Sequence, residues 1–270
     1  MKVVHALSRR RRRPAAAYVV LFVALAATGG LYALLAPSPR ADAAAQQATS
    51  ITVAAGKDLY TANCSSCHGL DGKGTSNGPT LVGVGAAAVD FQVGTGRMPA
   101  TIQSRSGQQQ QVPHKVRFSQ AEIDQMAAYV ATFGPGPKIP ANADLNYANA
   151  DAAVGGELFR TNCSMCHNFA GSGGALSNGK QAPSLQATTP RHIWEAMETG
   201  PGVMPVFGKG ALSPAEKQAV IKWIVASREE TNPGGSGLGR IGPVSEGAVA
   251  WLVGLGAIIA AAVWLTGKAK

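Results

Sequence analysis

The five-residue pattern Cys-x-x-Cys-His occurs twice in the chain, at residues 64–68 and 163–167. It is the attachment signature of c-type haem, because two thiols at this spacing reach the two vinyl groups of one porphyrin while the next imidazole ligates the iron. The two motifs use all four cysteines, so none is left for a disulfide. The sequence therefore predicts two covalently bound haems. The predicted attachment residues are Cys64, Cys67, Cys163 and Cys166, and the predicted axial imidazoles are those of His68 and His167.

Paired cysteines have two other common uses, a four-cysteine zinc site and a thioredoxin-like redox motif. Zinc pairs rarely lie as far apart in a chain as these two motifs do. Neither use requires a histidine directly after the second cysteine. Haem attachment is therefore the favoured interpretation of both motifs.

Two uncharged apolar segments, at residues 15–36 and 247–267, explain why the chain is 46% apolar and only 14% charged. Each is long enough to cross the ~30 Å hydrocarbon core of a bilayer as a helix. The first is also compatible with a cleavable signal peptide, since small residues follow at 41–43. Its apolar run exceeds that of a usual signal peptide, which favours a retained helix. The sequence thus predicts two transmembrane helices and membrane lipid as a partner.

The net charge of +9 is concentrated at the two chain ends. Lys2 and the arginine run at 9–13 precede the first apolar segment, and Lys268 and Lys270 follow the second. Positive residues mark the cytoplasmic side of a membrane protein, so both termini are predicted inside and the haem motifs outside. Membrane topology then explains the positive net charge of the chain, and no nucleic-acid partner is predicted.

An internal repeat runs through the exported part. Four landmarks recur in the same order: 56–64 matches 155–163, 78–81 matches 182–185, 94–99 matches 200–205, and 119–122 matches 213–216. One fold is therefore used twice. The last landmark is a capping box, with Ser at the N-cap and Glu three residues later, and it predicts a closing helix in each copy.

The repeat and the composition give the predicted domain boundaries. A basic cytoplasmic N-terminus at 1–14 precedes the first span, the two repeat domains cover 50–134 and 151–230, and linkers cover 37–49, 135–150 and 231–246. Each domain is small for a self-sufficient core, so haem is expected to supply the missing apolar mass.

The sixth iron ligand is predicted to be Met98 in the first copy and Met204 in the second. Both lie in the setting Gly-x-Gly-x-Met-Pro at the same landmark. Thioether ligation opposite histidine raises the reduction potential of a haem. Core packing is the usual fate of methionine and suits Met126, while His114 and His192 are other possible ligands that have no counterpart in the other copy. Two six-coordinate irons would leave no small-molecule substrate and no catalytic residue.

Each copy resembles a class I cytochrome c domain, from the haem motif through the Pro-x-Leu landmark to the final Met-Pro. The resemblance implies an all-α fold, in which helices and loops surround the haem. It also implies that Pro79 and Pro183 supply backbone carbonyls to the second nitrogens of His68 and His167, which orients the ligands and tunes the metal.

The whole chain resembles the diheme cytochrome cc subunit of the actinobacterial cytochrome bcc complex. The matching stretches are 63–69, 91–100, 158–169, 171–180, 232–235, 242–243 and 246–247. The resemblance implies a subunit of a proton-translocating quinol:cytochrome c reductase, placed beside a cytochrome b subunit. It would accept electrons from a Rieske iron–sulfur protein at the N-terminal haem and deliver them from the C-terminal haem to a copper-containing aa-type oxidase.

Three rivals stay open. The diheme subunit of a cbb-type oxidase has an N-terminal anchor and two haem domains, but the apolar segment at 247–267 speaks against it. A diheme peroxidase would need one iron without a sixth ligand. A structural membrane protein would not need the doubled haem motif.

Overall fold

The structure, a computed structural model, describes residues 14–35, 39–100, 113–229 and 243–267. The basic segment at 1–13 and most of the linker predicted at 231–246 lie outside the described residues.

The chain divides into two compact units, Met1–Ile51 and Thr52–Lys270. The elements are helices α1 (Pro14–Leu35), α2 (Pro39–Asn63), α3 (Ser65–His68), α4 (Gly85–Gly94), α5 (Gln120–Val130), α6 (Ala152–Asn162), α7 (Ser164–His167), α8 (Pro190–Thr199), α9 (Pro214–Glu229), α10 (Pro243–Val249) and α11 (Gly256–Gly267), with strands β1 (Gly174–Ala175) and β2 (Gln181–Ala182).

The first unit contains α1 and the beginning of α2. Helix α1 coincides with the predicted span at 15–36, and its apolar stretch Ala17–Tyr32 is exposed. The predicted linker at 37–49 is helical from Pro39 onward, because α2 starts there and continues to the first haem motif.

Haem domain 1 extends from the end of α2 through α3, α4 and α5 to a 3₁₀ turn at Ala131–Phe133. Helices α4 and α5 pack against each other. The core is formed by apolar side chains that are almost fully buried: Tyr60, Phe91, Val93, Ile123, Met126 and Val130. Glycine and proline at 134–137 follow the closing helix, as the sequence predicts.

Haem domain 2 repeats this order with α6, α7, α8 and α9. Helix α6 packs along α9, and the core contains Phe159, Ile193, Trp194, Met197, Val220 and Ile221. An antiparallel pair, β1 with β2, adds a small hairpin between the haem motif and Pro183. The all-α fold class and the tandem use of one fold are thereby confirmed, with the hairpin as an addition.

Both predicted capping boxes form. The Ser119 amide donates to the Glu122 carboxylate at 2.8 Å, and the Glu122 amide donates back to the Ser119 hydroxyl at 3.4 Å. Ser213 and Glu216 make the same exchange at 2.7 and 3.3 Å. These reciprocal bonds fix where α5 and α9 begin, and hence where each closing helix crosses the helix of its haem motif.

Each domain has a glycine at that crossing. A Cβ on Gly56 would lie 1.9 Å from the carbonyl oxygen of Gln125, and a Cβ on Gly155 would lie 1.9 Å from that of Ala219. Only a residue without a side chain lets the two helix backbones approach this closely.

The segment between the domains is attached to both of them. The Ala87 amide in α4 donates to the Pro137 carbonyl at 3.1 Å. The Gln218 side chain in α9 donates to the Ala143 carbonyl at 2.9 Å. The predicted linker at 135–150 is therefore held against haem domain 1 at its start and haem domain 2 near its middle.

The C-terminal helix begins at Pro243, four residues before the predicted span. Helices α10 and α11 are joined by a π-helical stretch, Ala250–Leu255, into one continuous helix. Among the described residues, Val244–Gly267 is the one helix that is both long and apolar enough to cross a membrane.

We expect the substitution Gly155→Ala to destabilise haem domain 2 although alanine favours helix by ~1 kcal/mol. The added methyl group meets a backbone oxygen that cannot rotate away, and overpacking of this kind costs ~1–3 kcal/mol. Urea unfolding of the haem-loaded chain in detergent, followed by circular dichroism, should show a net loss of up to about 2 kcal/mol. The control is Gly208→Ala, where no atom lies within 4 Å; equal effects of the two substitutions would contradict the close crossing.

Candidate haem sites

Each haem motif forms one helical turn directly after a longer helix. In the first copy the amides of Cys67 and His68 both donate to the Cys64 carbonyl, at 3.2 and 3.0 Å. In the second, Cys166 and His167 donate to Cys163 at 3.1 and 2.9 Å. The turn brings both cysteines and the histidine of a motif to one end of the preceding helix, as covalent attachment of a single porphyrin requires.

The first cysteine of each motif lies against the domain core. Cys64 contacts the buried cluster of Val93, Ile123 and Met126, and Cys163 contacts the corresponding cluster of haem domain 2. Burial raises the pKa of the Cys64 thiol to about 11, and that of Cys163 to about 11. Both thiols therefore face an apolar surface, which suits contact with a porphyrin edge.

The imidazoles of His68 and His167 are held by proline carbonyls. The Nδ1 atom of His68 lies 2.7 Å from the Pro79 oxygen, and that of His167 lies 2.9 Å from the Pro183 oxygen. Nδ1 is then the donor, which leaves Nε2 unprotonated and available to a metal. Burial also lowers the pKa of His167, against the effect of the Pro183 bond, and so favours the neutral ring, the form that is able to bind a metal.

Matching backbone bonds set the loop that carries each proline. Gly74 donates to the His68 carbonyl at 2.8 Å, and Leu81 donates to Gly72 at 2.6 Å. In haem domain 2, Gly173 donates to His167 at 2.9 Å, and Leu185 donates to Gly171 at 2.7 Å. The two loops thus position their prolines in the same way despite the hairpin in the second.

The candidate methionine ligands lie on irregular segments that follow α4 and α8. The Met98 amide donates to the Gln92 carbonyl at 2.9 Å, and the Met204 amide donates to Pro201 at 3.1 Å. Gly96 and Gly202, two residues before the methionines, have φ values of +71° and +67° that favour glycine. Both methionines are half-buried and contact the same core cluster as the first cysteine of their own domain. Thiol and thioether are therefore brought to a common apolar surface in each domain, which fits a haem.

The other methionines and histidines of the two domains lie away from these positions. Met126 and Met197 are buried in the cores, and Met165 is 88% exposed. His114 is exposed, while the His192 ring stands edge-on to Phe91, 6.1 Å between centroids, where the two haem domains meet.

Tyr60 is a positioning residue that the motif analysis did not identify. Its hydroxyl donates to the Gly69 carbonyl, directly after His68, at 2.7 Å. Burial raises the pKa of Tyr60 to about 12, so the hydroxyl remains a donor. The second copy has Phe159 at this landmark and Asn168, with φ +66°, in place of Gly69. The aromatic position before each motif was the available signal, but the sequence does not indicate which carbonyl accepts the bond.

A buried ionic cluster lies between the two domains, and the sequence motifs do not predict it. It contains Asp90 of α4 with Arg191 and Glu195 of α8, and both carboxylates are fully buried. Asp90 is the one charged residue of the apolar helix α4, which is a sequence signal, whereas α8 carries several polar residues and gives none.

Comparisons with known proteins match both domains and the chain as a whole. Residues 53–134 match the family described as Cytochrome c, and residues 150–224 match Cytochrome C oxidase, cbb3-type, subunit III. A cytochrome bc1 complex cytochrome c subunit of Mycobacterium tuberculosis is 43% identical over 263 residues, which cover 95% of this chain and 92% of the relative. Proteins of the same description from Mycobacterium leprae (42%; 93% and 87% covered) and Corynebacterium diphtheriae (41%; 95% and 95% covered) are similarly close.

The motifs, the site geometry and these matches agree on the cofactor. The chain carries two covalently bound haem c groups, one in each domain.

We expect Tyr60→Phe to lower the free energy of unfolding of haem domain 1 by about 1 kcal/mol, because the Gly69 carbonyl loses its hydroxyl donor. Denaturant unfolding of the haem-loaded chain measures this change. The matched control is Tyr129→Phe, since that neighbouring hydroxyl makes no hydrogen bond within the described residues. An effect as large in the control would show that ring packing, and not the bond to Gly69, is responsible.

Proposed function

The chain belongs to the family of cytochrome c subunits of the cytochrome bc1 complex, and on this premise we propose that it carries electrons from a Rieske iron–sulfur protein to a copper-containing aa-type terminal oxidase. It is a membrane-associated respiratory subunit of a bc1-type quinol:cytochrome c oxidoreductase. The proposal adds the two partners, the neighbouring cytochrome b subunit, and the route through both haem domains.

One observation carries the proposal: the same site is built twice in a single chain. In each domain an imidazole is fixed through Nδ1 by a proline carbonyl, and a methionine lies against the core beside the first cysteine. Two such sites in one molecule suit a carrier that receives an electron at one end and releases it at the other.

Each residue of the sites has a proposed role within this function. Cys64 and Cys67 hold the first haem covalently, and Cys163 and Cys166 hold the second. Nε2 of His68 or His167 and the sulfur of Met98 or Met204 would ligate the haem iron of their own domain. The haem iron supplies reversible one-electron chemistry when bound, and a thioether ligand raises its potential, as suits a carrier late in an oxidising chain. The Pro79 and Pro183 carbonyls orient the imidazoles and increase their basicity.

The proposed function also includes the boundaries of the two haem domains and the direction of electron transfer between them. Haem domain 1, at residues 50–134, faces the Rieske protein, and haem domain 2, at 151–230, faces the oxidase. No separate soluble cytochrome c is then required. The order follows from the family resemblance.

The topology is proposed from the charged ends. Helix α1 and the helix Val244–Gly267 both span the membrane, the termini are cytoplasmic, and the haem domains are outside. Each domain would then have an anchor of its own, since one precedes haem domain 1 and the other follows haem domain 2.

A diheme subunit of a cbb-type oxidase is the second candidate, favoured by the family match at residues 150–224. That match concerns one domain, whereas the bc1-type relatives cover 95% of the chain, including the C-terminal helix. The bcc-type function is therefore preferred.

A reduced-minus-oxidised spectrum of the complex, isolated through a tag on this chain, distinguishes the bcc-type function from the cbb-type function. Haems a, b and c together are the expected result. Haems b and c without haem a, with a high-spin b haem that binds carbon monoxide, would indicate a cbb-type oxidase. Haem c alone after mild extraction would contradict the proposed partners.

We expect Met98→Leu to lower the reduction potential of one haem by tenths of a volt or to make it high-spin. The reason is that the iron loses its thioether, and axial ligands set haem potentials over about 0.8 V. Met204→Leu should change the other haem in the same way. Spectroelectrochemical titration measures both, with Met126→Leu as the control because that side chain is buried in the core. Unaltered spectrum and potential in Met98→Leu would exclude Met98 as a ligand.

A further inference from the structure

We propose that Asp90, Arg191 and Glu195 form a proton-dependent interdomain clamp, which positions the two haem domains for electron transfer between them. The three residues are positioning residues, since they act on domain arrangement. Only the role of the clamp in electron transfer rests on the proposed function. The clamp itself is argued from contacts within the chain.

Arg191 is the centre of the interdomain clamp. Helix α8 of haem domain 2 packs against α4 of haem domain 1. From α8, the Arg191 Nε atom lies 2.6 Å from Asp90 Oδ2 in α4, and its Nη2 atom lies 3.3 Å from Asp124 Oδ1 in α5. One guanidinium therefore joins two helices of haem domain 1 to haem domain 2.

The second carboxyl group of the cluster comes from the same helix as the arginine. Glu195 Oε1 lies 3.5 Å from Arg191 Nε, one turn along α8. Asp90 and Glu195 are both 0% exposed. Asp90 is well satisfied, since Gln120 donates to its Oδ1 at 2.7 Å and Arg191 to its Oδ2. Both oxygens of Glu195, in contrast, are buried without a hydrogen-bond donor.

A proton on Glu195 accounts for two buried carboxyl groups lying close together, one of which has no hydrogen-bond donor. Two ionised carboxylates side by side in a buried site repel each other strongly, so one of them is kept neutral. Burial, followed by the hydrogen bond to Asp90 and its charge, raises the pKa of Glu195 well above its ordinary range. Burial alone would raise the pKa of Asp90 too, but hydrogen bonds from Glu195, Arg191 and Gln120 outweigh burial and lower it. The proton therefore resides on Glu195, which donates to Asp90.

The surrounding charges balance when this proton is present. Asp90 is offset by Arg191, Asp124 is half-exposed to solvent, and Arg97 lies over the Phe91 ring at 4.8 Å. His192 adds no charge, because burial lowers its pKa. From α9, Lys217 pairs with Glu198 of α8 at 2.5 Å. The cluster is thus neutral with one proton and negative without it.

The two carboxyl groups, of Asp90 and Glu195, and the His192 imidazole have ligand atoms within 4.8 Å of one another, a grouping that a metal ion could use. Arg191 already supplies the cation, however, since its Nε lies close to both carboxylates. The contacts therefore favour a proton and a guanidinium in this site.

Opening the clamp releases the proton. When the domains separate, Glu195 meets water and returns to the pKa of an ordinary glutamic acid, about 4.3, so it ionises at neutral pH. Closing takes one proton up again. This applies at pH values between the ordinary pKa of Glu195 in the open state and its raised pKa in the closed state. In that range the ratio of closed to open molecules falls about tenfold for each pH unit. A rise in pH therefore favours separation, and a fall in pH favours closure.

The experiment measures the distance between the domains in the haem-loaded, detergent-solubilised full chain. Because the haems occupy the native cysteines, gadolinium labels attach only at introduced cysteines, Ser76→Cys and Ser177→Cys, both at exposed positions. Double electron–electron resonance then reports the interdomain distance distribution. It is recorded with the haems reduced, from about pH 6 to about pH 9.

The expected result has three parts. Separated forms grow with pH in the parent chain, by up to about tenfold per pH unit in the open-to-closed ratio. Glu195→Gln, which imitates the protonated carboxyl, abolishes this pH dependence and keeps the domains closed. Arg191→Gln shifts the distribution to separated domains at every pH. The control Lys73→Gln breaks an exposed ion pair inside haem domain 1, with Asp71, and leaves the distances as they were.

Two outcomes would overturn the clamp. One is a distance distribution that Arg191→Gln leaves unchanged. The other is a pH dependence that persists in Glu195→Gln. The rate of electron equilibration between the haems, recorded on the same samples, should follow the closed fraction across pH. Since the distances need no partner protein, failure of the clamp and failure of the proposed respiratory role are distinguished: the distance measurements test the first, and the haem content of the isolated complex tests the second.

Discussion

The bond between each haem-motif imidazole and a proline carbonyl is the constraint around which both domains are arranged. It requires the loop after the motif to return to the histidine, and glycines with positive φ let that loop do so. It also fixes which ring nitrogen faces the metal. The helix that carries the cysteines and the loop that carries the proline meet at that ring, and the methionine contacts the same core cluster as the first cysteine. The small core of each domain packs behind them.

The same frame has been altered differently in its two copies. Haem domain 1 uses Tyr60 to hold the carbonyl after its histidine, whereas haem domain 2 has Phe159 there and a left-handed asparagine instead of Gly69. The second copy also inserts a hairpin before Pro183. The glycine at the helix crossing is unchanged in both, because a side chain there would meet backbone. The crossing tolerates less variation than the surroundings of the haem motif do.

Local patterns were sufficient to predict most of the fold. The haem motifs, the capping boxes and the repeat gave the helices, the two domains and the cofactor, because each pattern is contained within a few residues. The contacts between domains were not predictable, since Asp90 and Arg191 are 101 residues apart and only the folded chain brings them together. The segment at 37–49, predicted as a linker from its small polar residues, is helical from Pro39, which shows how weakly such a composition excludes helix.

The segment between the haem domains lies against both of them, through Pro137 on one side and Ala143 on the other. A short connection of this kind makes the meeting of the two domains an intramolecular event, with an effective concentration in the millimolar range. An interface inside one chain needs far less intrinsic affinity than one between separate proteins. A few buried polar groups are then enough to hold the domains together, and loss of one proton is enough to let them part without either domain drifting away.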